Sequence, residues 1–445
     1  MQGVRLIHLS LFFSLLSFFP SPALALTPEY HGYLRAGAGN NGVGGKQECY
    51  GNKGTPGNEF RLGNECGIYG ELALSAPLLK DEGTEPYFMS LVRLGFTPPG
   101  NGLFERNVPG PRVSTTPPGA TVPTNESAMA VLEAFVEGGR FGNSPLTYWI
   151  GKRFYRDVDV VINDWFYYGH MSGNGAGIGN IPLGGGKLAT ALLFETGDTF
   201  TNKGQNQKQF LDFRWQQIPI SSRSSLNVWA AVGQAPGGSA DGKDYVPRKG
   251  FVIGTRWRRT LWEGSHDLAL IYGRGLLQNM EIYGPAALLA APDNPVNPER
   301  YRVVSNWNVQ PIPKLGLHAA ATFEIWNPHV PGIDKSGRWW NIAARPIWFL
   351  TKHTQLALEA GHSVYYDRGE VNAAGGSVGP RHLTRITIAP QLAVDSTLWA
   401  RPVLRAFYSY GFWNDANRAA VAERAPTFAG ASSGHNIGVQ TEVWF

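Results

Sequence analysis

Hydrophobic and polar positions alternate along much of this chain with the period of a β-strand. The last nine residues, Ile437 to Phe445, show it plainly: Ile437, Val439, Thr441, Val443 and Phe445 fall on one face, and Gly438, Gln440, Glu442 and Trp444 on the other. One face suits lipid and the other water. The same two-faced pattern places Ile68, Gly70, Leu72 and Leu74 opposite Tyr69, Glu71 and Ala73. It also places Leu398, Ala400, Pro402, Leu404, Ala406 and Tyr408 opposite Trp399, Arg401, Val403, Arg405 and Phe407. On an early strand Tyr33 and Arg35 share a face and Leu34 takes the other. An arginine facing lipid near the bilayer centre costs roughly 2 to 4 kcal/mol, so the aromatic-plus-charged faces are expected to line a lumen.

The amino terminus supplies an export signal: a lone Arg5, an apolar run from Leu9 to Phe19, then Ala23 and Ala25. It reads as a signal peptide over residues 1–25, cleaved after Ala25, because the apolar run is shorter than the ~20 residues a membrane helix needs. Residues 26–445 then form one domain, and no later stretch is long and apolar enough for a membrane helix. An exported chain that spans a membrane without helices does so as a closed antiparallel β-barrel, multi-pass in the outer membrane of a bacterium. About 420 residues at roughly 20 to 25 per strand and connection give on the order of 16 to 20 strands, the size of a water-filled pore.

Composition agrees. Aromatics at 12%, 55 glycines and only 16% charged residues describe a β-rich chain with many turns. The net charge of +5 is too small to imply a nucleic-acid partner. Cys49 and Cys66 flank a turn-rich segment; they form a disulfide in an oxidising compartment, or stand as free thiols. They lack the spacing of a metal site, and no cofactor is implied.

Enzymatic motifs fail on inspection. The turn from Gly173 to Gly179 has Ile178 where a dinucleotide fingerprint needs glycine, and Gly184-Gly-Gly-Lys187 is followed by Leu188 where a phosphate loop needs Ser or Thr. Carboxylates are numerous, but no spacing marks a glycosidase pair. Aromatic rings beside arginines and carboxylates have a different use. Sugar rings rest their apolar C–H faces on such rings while their hydroxyls seek donors and acceptors in the same cross-section. The competing place for Tyr33, Tyr69, Trp399 and Trp444 is the interfacial aromatic girdle; sharing a face with Arg35, Glu71 and Arg401 favours the lumen.

Several segments carry a family resemblance: Tyr30-His-Gly-Tyr-Leu-Arg35, Phe60-Arg-Leu-Gly-Asn-Glu-Cys66, Gly151-Lys-Arg-Phe-Tyr155, Ser172-Gly-Asn-Gly-Ala-Gly177, Trp339-Trp340 with Arg345-Pro346, Ser396-Thr-Leu-Trp-Ala-Arg-Pro402, and Glu442-Val-Trp-Phe445. In this order they resemble the maltoporin family over nearly the whole mature chain. The resemblance implies an 18-stranded barrel, a homotrimer, and facilitated diffusion of maltose and maltodextrins. It implies slide positions at Tyr33, Tyr69, Trp399 and Trp444, and ionic-track positions at Arg35, Arg61, Glu71, Asp159 and Asp164. It also implies a first-loop disulfide between Cys49 and Cys66, and a third loop folded inward, with the constricting residue at Phe166 or Tyr167.

Departures are equally visible. The mid-chain slide aromatic falls near Ser265, so either Trp262 substitutes or that rung is missing; Phe96 is the candidate for the rung lent by a neighbouring subunit. Asp157 stands where the third loop is expected to carry arginine, which would change the field at the narrowest point. The intervals 98–126, 196–207 and 283–300 match poorly. Sucrose and other oligosaccharide channels, and a weakly selective general porin, therefore remain competing readings; an adhesin would rest on the long loops alone.

Overall fold

The computed structural model describes residues 28–55, 59–79, 85–97, 128–195, 207–240, 243–282, 288–289, 297–372 and 375–445. The signal segment and most of the poorly matching intervals lie outside these residues. The barrel wall begins with β1 (Glu29–Asn40), β2 (Tyr69–Leu79), β3 (Tyr87–Thr97), β4 (Ala128–Gly139), β5 (Thr147–Arg153), β6 (Gly173–Leu183), β7 (Gly186–Glu195), β8 (Lys208–Ser221) and β9 (Ser224–Ala235). The short β10 (Gly238–Ala240) and β11 (Lys243–Val246) pair outside the wall, which resumes with β12 (Arg248–Leu261) and β13 (Gly264–Gly275). The two-residue β14 (Leu288–Leu289) joins β11. The wall is completed by β15 (Glu299–Ile312), β16 (Leu315–Asn327), β17 (Gly337–Phe349), β18 (Thr354–Asp367), β19 (Arg381–Ala393), β20 (Val403–Trp413) and β21 (Ser433–Trp444).

Eighteen antiparallel strands close on themselves, because β1 pairs with β2 on one side and with β21 on the other. Closure leaves no unpaired edge, the condition for a sheet in hydrocarbon. Beyond β21 the main chain of Phe445 still exchanges two hydrogen bonds with Gly32 (2.7 and 3.2 Å). The Phe445 ring covers Gly32 so closely that a Cβ there would lie 2.3 Å from it, which is why glycine stands opposite the terminal aromatic.

The period-2 pattern sorts as expected. On β19, Ile386 and Ile388 face outward while Arg385 and Thr387 are fully buried within; on β20, Leu404 and Tyr408 face outward and Arg405 and Phe407 inward. Connections alternate between tight turns, such as 184–185, 222–223, 262–263 and 313–314, and long loops, such as 41–68, 154–172 and 414–432. The barrel thus has a short-turn rim and a long-loop rim.

Two long loops fold into the bore instead of standing above it. Loop 154–172 buries Val160, Ile162, Tyr167, Tyr168 and Met171 against wall residues that include Trp149, Trp229 and Trp339. Loop 41–68 buries Tyr50, Phe60 and Leu62, and is closed by a disulfide between Cys49 and Cys66. Removal of these apolar groups from water contributes about 1.5 to 3 kcal/mol per large side chain, enough to hold an otherwise flexible segment in place.

Candidate functional site

Four rings line one wall of the bore in unbroken succession. Strand register sets Tyr33 of β1 opposite Trp444 of β21 and Arg35 opposite Tyr69 of β2, so the three aromatics converge on the lumen side. Ring centroids are 6.0 Å apart for Tyr69 and Tyr33, 6.4 Å for Tyr33 and Trp444, and 6.1 Å for Trp444 and Trp399. Trp399 comes from the turn before β20, beyond which the His318 ring meets it edge-on at 5.0 Å. Arg401 lies over the Trp444 ring at 4.5 Å. Trp399 and Trp444 remain exposed, so a bound molecule can reach them.

Charged groups run beside the rings. Glu442, only 3% exposed, accepts hydrogen bonds from the Tyr33 hydroxyl (3.1 Å), Arg61 Nη2 (3.1 Å), Arg401 Nε (3.2 Å) and Arg405 Nη2 (2.9 Å). Glu65 takes Arg61 Nε at 2.8 Å and also pairs with Arg35. Asp164 lies 3.5 Å from Arg61 and 4.0 Å from Arg35. Further along, the Tyr69 hydroxyl donates to Glu71 at 2.6 Å, and Arg93 bridges Glu71 (3.0 Å) and Glu133 (2.7 Å). Sequence parity put Glu442, Arg401 and Arg405 on the right face. Glu65 escaped it, because a loop residue enters the network only when loop 41–68 folds inward.

Loop 154–172 narrows the bore. Tyr167 is buried at 1% exposure against Trp339, so it has no face toward the pore. Phe166 stays part-exposed and stacks at 3.9 Å on Arg156, whose other face covers Phe154 at 3.8 Å. Of the two constriction candidates, Phe166 is the one presented to the lumen. Asp157 does not stand free at the narrowest point: it pairs with Arg256 at 2.9 Å, and Arg256 also holds Asp267 at 3.1 Å. In this pair a cation from the wall sits against the Asp157 carboxylate. Arg156 supplies the local cation instead, and among the described residues it has no hydrogen-bond or ion-pair partner. Burial pushes the Asp159 carboxyl up to about 7, against the pull of Arg61 and with Asp164 adding to the rise.

Both candidate rungs, Trp262 and Phe96, lie outside this subunit's own lumen. Trp262 occupies the tight turn after β12 with φ of 49° and is swung onto Trp307 on the outer face (6.5 Å), while Ser265 faces the bore. Phe96 pairs with Gly70 on the outer side of β2 and β3, so it contributes nothing to this subunit's own lumen. No group of described residues could hold a metal ion.

A closed barrel with an inward third loop and a stepped aromatic wall matches what the sequence segments suggested, and the family comparison decides it: the sequence model of the LamB porin family matches residues 28–445. The chain belongs to the LamB porin family. It is therefore an outer-membrane channel and not an enzyme. Solved structures similar to this porin include OccK8 (OprE) of Pseudomonas aeruginosa, 11% identical, covering 94% of this chain and 98% of that one with a TM-score of 0.46. OccAB4 of Acinetobacter baumannii is 9% identical over 94% and 99% of the chains, with a TM-score of 0.45. OmpT of Vibrio cholerae, in its trimer form, is 8% identical over 94% and 99%, with a TM-score of 0.38. By the sidedness of such barrels, the short-turn rim of this porin faces the periplasm and the long-loop rim the exterior.

Proposed function

We propose that this porin is a sugar-specific channel for facilitated diffusion of maltose and maltodextrins, working as a homotrimer. The observation that carries the reading is the succession Tyr69, Tyr33, Trp444, Trp399, with ring spacings near 6 Å and an ion-paired track of Arg35, Arg61, Glu65, Asp164 and Glu442 beside it. A pyranose lays an apolar face on each ring in turn, each contact contributing of order 1 kcal/mol, weak enough for the sugar to leave again. Its hydroxyls exchange bonds with the charged groups as it advances. A general porin selects by pore size and charged rings and has no need of a continuous aromatic path.

Planar-bilayer conductance titrated with maltohexaose and then sucrose tests the reading, because reversible block reports a sugar inside the lumen. Block by maltohexaose at the lower concentration supports maltodextrins. A preference for sucrose assigns the channel to that sugar and points to the third loop, where Arg156 stacks on Phe166. Absence of block by either, with conductance intact, leaves a general porin.

A further inference from the structure

A large cavity of this porin lies outside its bore. On the wall made by β7, β8, β9, β12 and β13, a groove of about 570 Å3 opens at the long-loop end of the strands. Cross-strand pairing builds its floor: Leu192 opposes Leu211, Leu211 opposes Val232, and Val232 opposes Phe251, so four exposed apolar side chains stand in one row. Arg274 closes that row beside Phe251. One step nearer the exterior runs a polar row of Gln209, Gln234 and Lys249.

Aromatic rings set the level of this groove in the bilayer. Phe251, Tyr272 and Tyr301 form a continuous outer belt, with centroids 5.7 and 4.6 Å apart, of the kind that marks the membrane interface. Lys249 and Arg274 stand beyond Phe251 and Tyr272 towards the exterior, at headgroup height. Both are exposed, and neither has a hydrogen-bond or ion-pair partner among the described residues. Glu299, which faces Arg274 across the strands, is engaged elsewhere: it takes the Tyr272 hydroxyl at 2.9 Å and lies 3.0 Å from His329. As diagonal neighbours on β12 and β13, the two cations lie roughly 7 to 8 Å apart at Cα, so one anionic group can meet both.

Lipid tails alone account for the floor and not for the cations. Two free cations at headgroup height, above an apolar floor, call for an amphiphile whose anionic group is fixed just above its chains. The floor spans three strand spacings, about 14 Å, and suits several chains better than two. Gln209 and Gln234, joined at 3.2 Å, add amide donors and acceptors for a sugar headgroup.

We propose that this groove binds a phosphorylated, multiply acylated glycolipid of the outer leaflet, with a phosphate between Lys249 and Arg274 and acyl chains on Leu192, Leu211, Val232 and Phe251. The bore takes no part in it, so the site stands whether or not the pore conducts sugar.

The experiment is native mass spectrometry of the folded porin, released from detergent after incubation with bisphosphorylated lipid A, its fully dephosphorylated form, or phosphatidylglycerol. Wild type is compared with Lys249→Gln, Arg274→Gln and, as a control on an exposed cation at the opposite rim, Lys187→Gln, each checked for heat-modifiable migration as a sign of a folded barrel. Each substitution in the groove should weaken retention of lipid A about fivefold, as expected for one basic residue against an anionic lipid, and Lys187→Gln should leave it within about twofold. Wild type should retain the dephosphorylated form at least about fivefold less than lipid A. Lipid A that is not retained, or that is retained equally by both groove variants, overturns the site. Equal retention of phosphatidylglycerol overturns the glycolipid and leaves a groove for any anionic lipid. If the two groove substitutions instead convert oligomers to single chains, the face is an interface between copies and lipid is not its occupant. Should a variant fail to fold, wild type alone decides, since equal retention of the dephosphorylated form overturns the phosphate contact.

Discussion

Trp444→Ala separates a conducting role of the aromatic wall from a structural one. The indole sits between Tyr33 and Trp399, 6.4 and 6.1 Å from their centroids, and is exposed to the bore. Its removal deletes one stacking contact, about 0.5 to 1.5 kcal/mol, and doubles the step between the remaining neighbours. The half-blocking concentration of maltohexaose should rise about 2- to 13-fold. Ions pass through water and do not stack on the wall, so open-channel conductance should hold steady or increase slightly. Trp444→Phe keeps an apolar ring in place and should recover most of the lost affinity. The assay is current-noise analysis on single channels, which gives conductance and block from one recording. If conductance and sugar block fall in the same proportion, Trp444 is a girdle residue that shapes the barrel, and the slide mechanism is refuted.

Three further outcomes follow from the lumen. Asp159 titrates near 7, with Arg61, Asp164 and Arg156 around it, so it is neutral below that value and negative above it; cation-over-anion permeability should fall as pH drops from 8 to 6, and Asp159→Asn should be flat over the range. Because its value is raised by folding, its contribution to docking of loop 154–172 is full at low pH and is lost as pH rises through about 7. Glu442→Gln leaves Arg61, Arg401 and Arg405 without their shared carboxylate; breaking such buried pairs typically costs about 3 to 5 kcal/mol, so the folded band in detergent gels should be lost at a lower temperature, and an unchanged transition would refute the network's structural weight. Cys49→Ser opens the closed segment of loop 41–68, worth about 3 kcal/mol in the loop-entropy picture, and should admit protease cleavage within 41–68 that wild type resists.

Much of the wall was legible because a strand's period is strict. Once Tyr33, Arg35, Glu71, Glu442 and Trp444 shared a parity with other charged and aromatic residues, the lipid penalty on arginine fixed the side they face. What parity cannot convey is where a long loop goes. Glu65 reaches Arg35, and Asp164 reaches Arg61 and Arg35, only because loops 41–68 and 154–172 turn inward, held by Phe60, Ile162 and Tyr167, and nothing in local alternation distinguishes that from a loop in solvent. The outward turn of Trp262 was hidden for a related reason: a positive φ in a two-residue turn reverses the direction that strand parity would assign. Arg156 and Asp157 are adjacent, and only the position of Arg256 on the far wall decides which of them meets the pore.

The inward loops also change what kind of motion the channel supports. With loops 41–68 and 154–172 filling much of the bore, the rings of β1, β2, β21 and the turn before β20 form a single track along one side. A saccharide on such a track is confined to one dimension, and its speed is set by the barrier for stepping from ring to ring and not by the cross-section of the barrel. Widening the bore elsewhere would then raise ion current without hastening the sugar, so the two fluxes through one protein answer to different parts of its wall.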